Sequence, residues 1–341
     1  MIRLLSFSML LGFASGCGSS ELAAPSPSDE VPVVVATATH RSVPRPPQLS
    51  RAEPVLWVAL QDHLGSHPAA MPLQLSSAGA PLTLEDGAGR SWTAASFTVR
   101  WQSVALPEPV TLARRIAGPF ASFESAERFA QRWRELGVTV SVAHPNDWEV
   151  WAPQGSMVPE GAQVRDWTRR VHATVEPTLE TPEGVQPIKG PLQIAAPDGL
   201  RWNRGVFRGP FRLQPDAYGS WTLIEQVAVE RYLEGVVPHE IGASSPVAAL
   251  QAQTVLARTW ALANSHRFNI DGYHLCSETQ CQVDSDPRLA AAAVRQAGRR
   301  GGETARVLRG RWPMSCVNPT VLPKVPLERW QPYPMNRGPN R

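Results

Sequence analysis

The chain has no surplus of charge. Its 341 residues carry 33 Lys and Arg against 30 Asp and Glu, a formal net charge of +3. That balance gives no global reason to expect nucleic acid as a partner, and no long run of like charge reads as an interaction tail. Long apolar runs are missing too: beyond the first residues, none reaches the length of a bilayer-spanning helix. No repeat of solenoid period is visible. Cysteine is sparse, at four, so each can be weighed singly. What is plentiful is proline, at 33, and tryptophan, at 12. The proline points to linkers and irregular strands more than to long helices. The tryptophans fill a core in one reading, and in another present the aromatic faces that sugar-binding surfaces use. The length suits about two domains.

The first residues read as a targeting segment. Arg3 supplies a positive charge, residues 4–13 an apolar stretch, and Ala14-Ser15-Gly16-Cys17 resembles a lipoprotein signal-peptidase site. The stretch is too short to span a bilayer as a mature helix. Small residues before Cys17 fit its lipidation after cleavage; the other reading is an ordinary secretory signal with Cys17 incidental. Both place the mature chain outside the cytoplasm, the first with a lipid anchor in a membrane. Residues 21–47, rich in Pro, Ser, Ala and Thr, read as a flexible tether, with only Val33, Val34 and Val35 suited to packing.

From 55 to 92 the text is β-like, with alternating apolar residues and Gly turns. Residues 97–104 suit one strand. Ser122 is a fair N-cap for a helix over about 123–136, where Ala126, Phe129, Ala130, Trp133 and Leu136 share a face and Gly137 is the expected stop. Strands follow in VTVSV and WEVWA, then a linker helix over 165–173, then short Gly-punctuated strands over 175–194 and 200–224.

The stretch 227–281 organises the rest. An amphipathic segment with Val227, Val229, Tyr232 and Leu233 ends near Gly235, and the run Val236-Val237-Pro238 delivers a lone carboxylate, Glu240. A second helix starts after Ser244-Ser245-Pro246, with Ser245 as cap and Pro246 in the first helical position. Behind it come His266, His274, Cys276 and Cys281.

GVVPHE, PVAALQAQTVLARTWAL and CSETQCQV, in that order and spacing, resemble the core of the stage II sporulation protein D (SpoIID)/LytB family, lytic transglycosylases or amidase enhancers that act on bacterial peptidoglycan. The resemblance implies an α+β fold: a SpoIID-type mixed β and helical core domain behind a disordered lipoprotein N-terminus. Strand–helix–strand over 97–153, with Gly-Pro-Phe before the helix, resembles a sporulation-related (SPOR) repeat, a small α/β module that binds glycan strands lacking stem peptides. The expected organisation is a signal peptide at 1–17, a Pro-rich linker at 18–51, a first SpoIID-like part at 52–94, a SPOR-like insert at 95–155, the SpoIID-like core at 160–295 and a divergent tail at 296–341.

A hydrolase usually sets two carboxylates around a glycosidic bond. A lytic transglycosylase can use one, because the sugar's own hydroxyl attacks in place of water and the same group first donates and then accepts a proton. The resemblance assigns that role to Glu240, with apolar surroundings such as Val236, Val237 and Ile241 to keep it protonated; without the family it reads as a solvated loop acid. Arg258 stands in the family's Ala-Arg-Thr motif, where it binds the sugar, orients Glu240 or forms a structural salt bridge. Gln253 and Thr259 match family positions that face substrate, with packing or capping as the other reading. Gln251 stands where many relatives carry Lys, and His239 reads as a surface residue. Some relatives bind zinc with one His and two Cys; here Cys276 and Cys281 with His274, or else His266, are the candidate ligands. A Cys276–Cys281 disulfide is the alternative for an exported chain. The implied partners are peptidoglycan glycan strands and a cell-wall amidase, with no nucleic acid.

After Cys281 the pattern breaks. Val-Asp-Ser-Asp-Pro replaces the family's Tyr-x-Gly, DPRLAAAAVRQ over 286–296 still resembles the family helix, and Gly301-Gly302 arrives early in an Arg- and Pro-rich tail. A truncated or frame-altered end is the expectation, which resequencing of the locus tests.

Overall fold

The computed structural model describes residues 35–36, 41–50, 52–203, 205–286 and 288. The expected signal peptide, Cys17, Cys316, the 286–296 helix and the tail therefore lie outside the described residues, apart from Asp286 and Arg288. Over the described residues the chain is α+β. In order, the elements are β1 (Val35–Ala36), β2 (Val55–Leu64), β3 (Leu73–Ser77), β4 (Leu82–Glu85), β5 (Ser91–Ala94), β6 (Ser96–Phe120), α1 (Phe123–Glu135), β7 (Ser141–Ala143) and β8 (Trp148–Pro153). There follow β9 (Arg165–Thr181), β10 (Gly184–Pro187), β11 (Leu192–Ala195), β12 (Leu200–Trp202), β13 (Gly205–Phe207), β14 (Phe211–Pro215), β15 (Trp221–Ala228), α2 (Val229–Ile241), α3 (Val247–Ala263) and β16 (Leu275–Cys276).

The strands form two sheets. One runs β10-β9-β6-β3-β12-β13, with β1 and the β7–β8 pair also on β6; the other runs β16-β2-β15-β14-β11-β4-β5. Leu73, Leu75, Phe97 and Val99 from the first meet Leu82, Leu84, Leu192, Ile194 and Leu213 from the second in one core. Each such side chain contributes about 1.5–3 kcal/mol on full burial. Strand β2 serves three cores because its side chains alternate. Leu56 and Val58 face α2 and α3, Leu60 and Leu64 face the sandwich interior, and Trp57 and Ala59 face α1.

Helix α1 forms as its sequence demands. Ser122 and Ser125 make a reciprocal capping box, and Phe123, Ala126, Ala130 and Trp133 turn inward. Gly137, at φ 76°, follows the end. The strand–helix–strand order of 97–153 is present, but the segment is not a separate body. Strand β6 pairs with β3 at Ser96 and continues as one strand into the pairing with β8.

Two expectations fail in this region. Strand β6 runs to Phe120 rather than stopping at 104, and residues 165–173 are strand, not a linker helix. The ladder with β6 explains both, since fourteen residue pairs join β6 to β9. Pro107 and Pro109, which lack an N–H, fall in the register slip between Ala105 and Val110 and so break no ladder bond. Trp167, opposite Arg114, also packs its indole on that guanidinium at 3.9 Å, with Trp151 on the other face at 3.4 Å.

The expected flexible tether also needs correction at its end, because residues 41–50 pack. Arg41 donates to the carbonyls of Ser220 (2.9 Å) and Val175 (3.1 Å) and pairs with Glu176 at 3.3 Å. Gln214 Nε2 donates to Pro44 O at 3.1 Å. A cation and a carbonyl that find partners in the folded domain hold an otherwise irregular, Pro-rich segment.

Helix α2 does not end near Gly235; it continues through Gly235 and Pro238 to Ile241. Gly235 is there for space. A Cβ on it would stand 2.2 Å from Asp284 Oδ1 and 2.6 Å from Ser285 O. Gly235→Ala gains about 1 kcal/mol of helix propensity but forces an overpacked contact of about 1–3 kcal/mol. Net destabilisation is expected, read as a lower urea midpoint. Ser245 does not cap α3 either. Its hydroxyl donates to Ile241 O at 2.6 Å, closing α2, and Pro246 is itself the N-cap.

Candidate functional site

The α2–α3 hairpin positions the carboxylate singled out in the sequence. Helical phase puts Val236 and Val237 fully into the core and turns His239, Glu240 and Ile241 outward. Glu240 is therefore exposed in the last turn of α2, just before Gly242 (φ 85°) ends the helix. No hydrogen bond or ion pair to Glu240 is seen among the described residues. Of the apolar neighbours expected to keep it dry, Val236 and Val237 face the other way and Ile241 is itself exposed.

Arg258 lies with α2 but not at Glu240. Its side chain is buried and forms a fork with Glu230 in the first turn of α2, Nε–Oε1 at 3.0 Å and Nη2–Oε2 at 2.7 Å. The salt-bridge alternative is the arrangement present. Thr259 is exposed and bonds back to Val255 O at 2.8 Å, and Gln253 is half-buried on α3.

Cys276 and Cys281 are joined in a disulfide, with Cα atoms 5.7 Å apart. His274 is turned the other way: its Nδ1 accepts the Trp57 N–H at 2.9 Å, and its backbone N–H donates to Trp57 O at 2.9 Å. Burial pushes its imidazole down to about 4, against a bond to the Pro47 carbonyl. So arranged, these three residues do not fit zinc, because bonded sulfurs are not thiolates and the ring nitrogen is taken. Zinc would require the reduced pair. His266, the other candidate, is exposed and sits edge-on to Phe123 at 5.4 Å.

Two carboxyl groups went unmarked in the sequence. Glu225, within β15, accepts the N–H groups of Arg208 (3.1 Å) and Gly209 (3.0 Å). Asp284 seats its carboxyl against Gly235. Burial raises both above the usual carboxylate range; the charge of Glu225 raises Asp284 further, while the two N–H groups and Arg231 oppose the rise at Glu225. Tyr232 of α2 reaches Gln282 at 3.4 Å and is pushed up by burial first and then by the charges of Asp284 and Glu240. The departure from Tyr-x-Gly was the sequence signal for Asp284.

Another acid with a raised pKa lies away from α2. Asp271 accepts the Tyr218 hydroxyl at 2.9 Å, and that oxygen accepts the His144 N–H at 2.7 Å. Burial, then the Asp216 charge, raises Asp271 well above the Asp range. A raised acid favours the folded state fully below its unfolded value, about 3.9, and loses that contribution as pH rises through the folded one. Asp271→Asn, which cannot ionise, should therefore gain on the wild type as pH rises from about 4 to 8. Urea titrations across that range check it, and parallel curves would refute it.

Residues 217–299 match the family described as SpoIID, Stage II sporulation protein. The match runs from the turn before β15 through α2, α3 and the disulfide loop, and does not reach the 95–155 segment. Among curated proteins and solved structures, nothing matches the chain. A SpoIID domain points to a cell-wall-related function. The segment over residues 217–299, which holds α2, α3 and Glu240, is thus similar to the SpoIID family of stage II sporulation proteins.

Proposed function

We propose that the protein cleaves the glycan strands of peptidoglycan as a lytic transglycosylase, with Glu240 as the single acid/base group. Glu240 protonates the glycosidic oxygen as that bond breaks. The muramyl 6-hydroxyl then attacks the anomeric carbon, its proton passes to the Glu240 carboxylate, and a 1,6-anhydro end results. One observation carries this reading: Glu240 lies inside the matched segment, on a helix end that a strand can reach. Exposure is what a polymer substrate requires before binding, and a sugar ring laid on the end of α2 would itself remove water from the carboxyl. No step passes through a metal.

In this reading the chain acts outside the cytoplasm, held to a membrane through Cys17, with glycan strands as substrate and the α1 unit as a SPOR-like contact for peptide-free strands. The second reading is a non-catalytic peptidoglycan binder that stimulates a separate amidase. It is favoured by Arg258, which the fork to Glu230 occupies, so that no described cation orients Glu240. Incubation of purified protein with denuded strands separates the two by mass spectrometry. Anhydromuramyl ends support cleavage; binding without them supports the adaptor.

A further inference from the structure

A cavity of about 240 Å³ opens between the β12–β13 hairpin and the residues after the disulfide loop, lined by Arg201, Trp202, Asn203, Gly205, Val206 and Arg288. Its volume lies below the range of about 300–1,000 Å³ of sites for drug-sized ligands, so it suits one ring and its substituents. Its charge is uneven. Arg288 is forked onto Asp286, Nε at 2.9 Å and 3.0 Å from the two carboxylate oxygens, so that pair is neutral. Arg201 donates only to carbonyls, Ser77 O at 3.1 Å and Ala78 O at 3.3 Å. Its charge has no counter-ion among the described residues. Among the described lining residues one guanidinium is left over; it matches one monoanion, and its planar fork suits a carboxylate.

The remaining lining suits a sugar. The half-buried Trp202 packs against the sandwich core and brings to the cavity the indole edge and face left uncovered, a surface that suits the apolar face of a ring, and its Nε1 is buried with no hydrogen-bond partner among the described residues. Asn203 adds an amide with both donor and acceptor, from a backbone held at φ 43°. That conformation is ordinary for Asn in the β12–β13 turn.

We infer that this cavity is a subsite for one carboxylate-bearing amino sugar of the strand, with Arg201 taking the carboxylate and Trp202 the ring. The ligand class rests on the peptidoglycan reading above. The carboxylate has two sources, the lactyl group of a peptide-free muramyl residue and a stem peptide. Affinity is measured by calorimetry on the full chain carrying Glu240→Gln, so that strands are not consumed. The probes are denuded strands, the same strands with carboxyls reduced to alcohols, and strands bearing stem peptides. Reduced strands should bind about tenfold or more weakly than native ones, and Arg201→Gln should abolish that ratio. Equal binding of native and reduced strands overturns the subsite, as does a ratio that survives in Arg201→Gln. The native-against-reduced comparison needs no change at the cavity, so misfolding cannot mask it. Tighter binding of denuded than of peptide-bearing strands assigns the lactyl source, and the reverse assigns the peptide. Cleavage by the wild type with equal binding removes the subsite alone; a carboxylate preference without cleavage removes the catalytic reading alone.

Discussion

Glu240→Gln is expected to lose the formation of anhydromuramyl ends by about 10²–10⁴-fold, the usual contribution of a positioned acid/base group. The fold should not notice. The side chain is exposed and touches no partner among the described residues, and such substitutions stay within about 0.5 kcal/mol. The variant should therefore melt with the wild type and keep its affinity for strands. Rates are read by mass spectrometry of ends released from denuded strands under matched conditions. Release that persists in the variant removes Glu240 as the acid/base. An equal absence of release in both proteins, with binding retained, leaves the adaptor. Because Arg258 is held by Glu230, its substitution is no substitute for this test: a loss there would report a disturbed hairpin as readily as a lost contact to sugar.

Local signals fixed the elements whose causes are local. Ser122, the spacing of Ala126, Ala130 and Trp133, and Gly137 gave α1 almost to the residue. Elements that depend on distant partners were misread. Residues 165–173 alternate as a strand does, yet only pairing with β6, some sixty residues earlier in the chain, decides the matter. The packed arm at 41–50 shows the same limit, since the partners of Arg41 lie at 175, 176 and 220. Gly235 misled in the opposite direction. As a local signal it stops a helix; in the structure its missing Cβ makes room for Asp284.

The site divides along similar lines. Motif order found the hairpin and Glu240, but whether a carboxyl on α2 faces core or water depends on helix phase. The phase follows once α2 is known to run unbroken to Ile241, with Val236 and Val237 inward. Asp284 could be noticed as a departure but not assigned a place, because nothing local says that the disulfide loop folds back onto Gly235. Spacing alone leaves Cys276 and Cys281 equally suited to a metal or a disulfide. What separates the two is His274, whose ring nitrogen is committed to strand β2.

Trp133→Ala tests the claim that the α1 unit is not an independent module. The indole is fully buried, its Nε1 donates to Met157 O at 2.7 Å, and it shares a core with Trp57, Ala59 and Ile224 from the other sheet. Arg267 ties the same unit to the disulfide loop: it pairs with Glu124 of α1 while donating to Gln280 O at 3.2 Å. Removing a buried indole costs about 3–5 kcal/mol, which for a domain of this size lowers Tm by about 6–20 °C. A free-standing insert would melt alone, leaving the sandwich transition where it was. With a shared core, the loss opens a cavity against β2 and β15 as well, so near-UV and far-UV dichroism should fall together in one earlier transition. Two separated transitions, the later at the wild-type midpoint, would show that α1 leans on the sandwich without stabilising it, and the insert would return to the status of a tethered module.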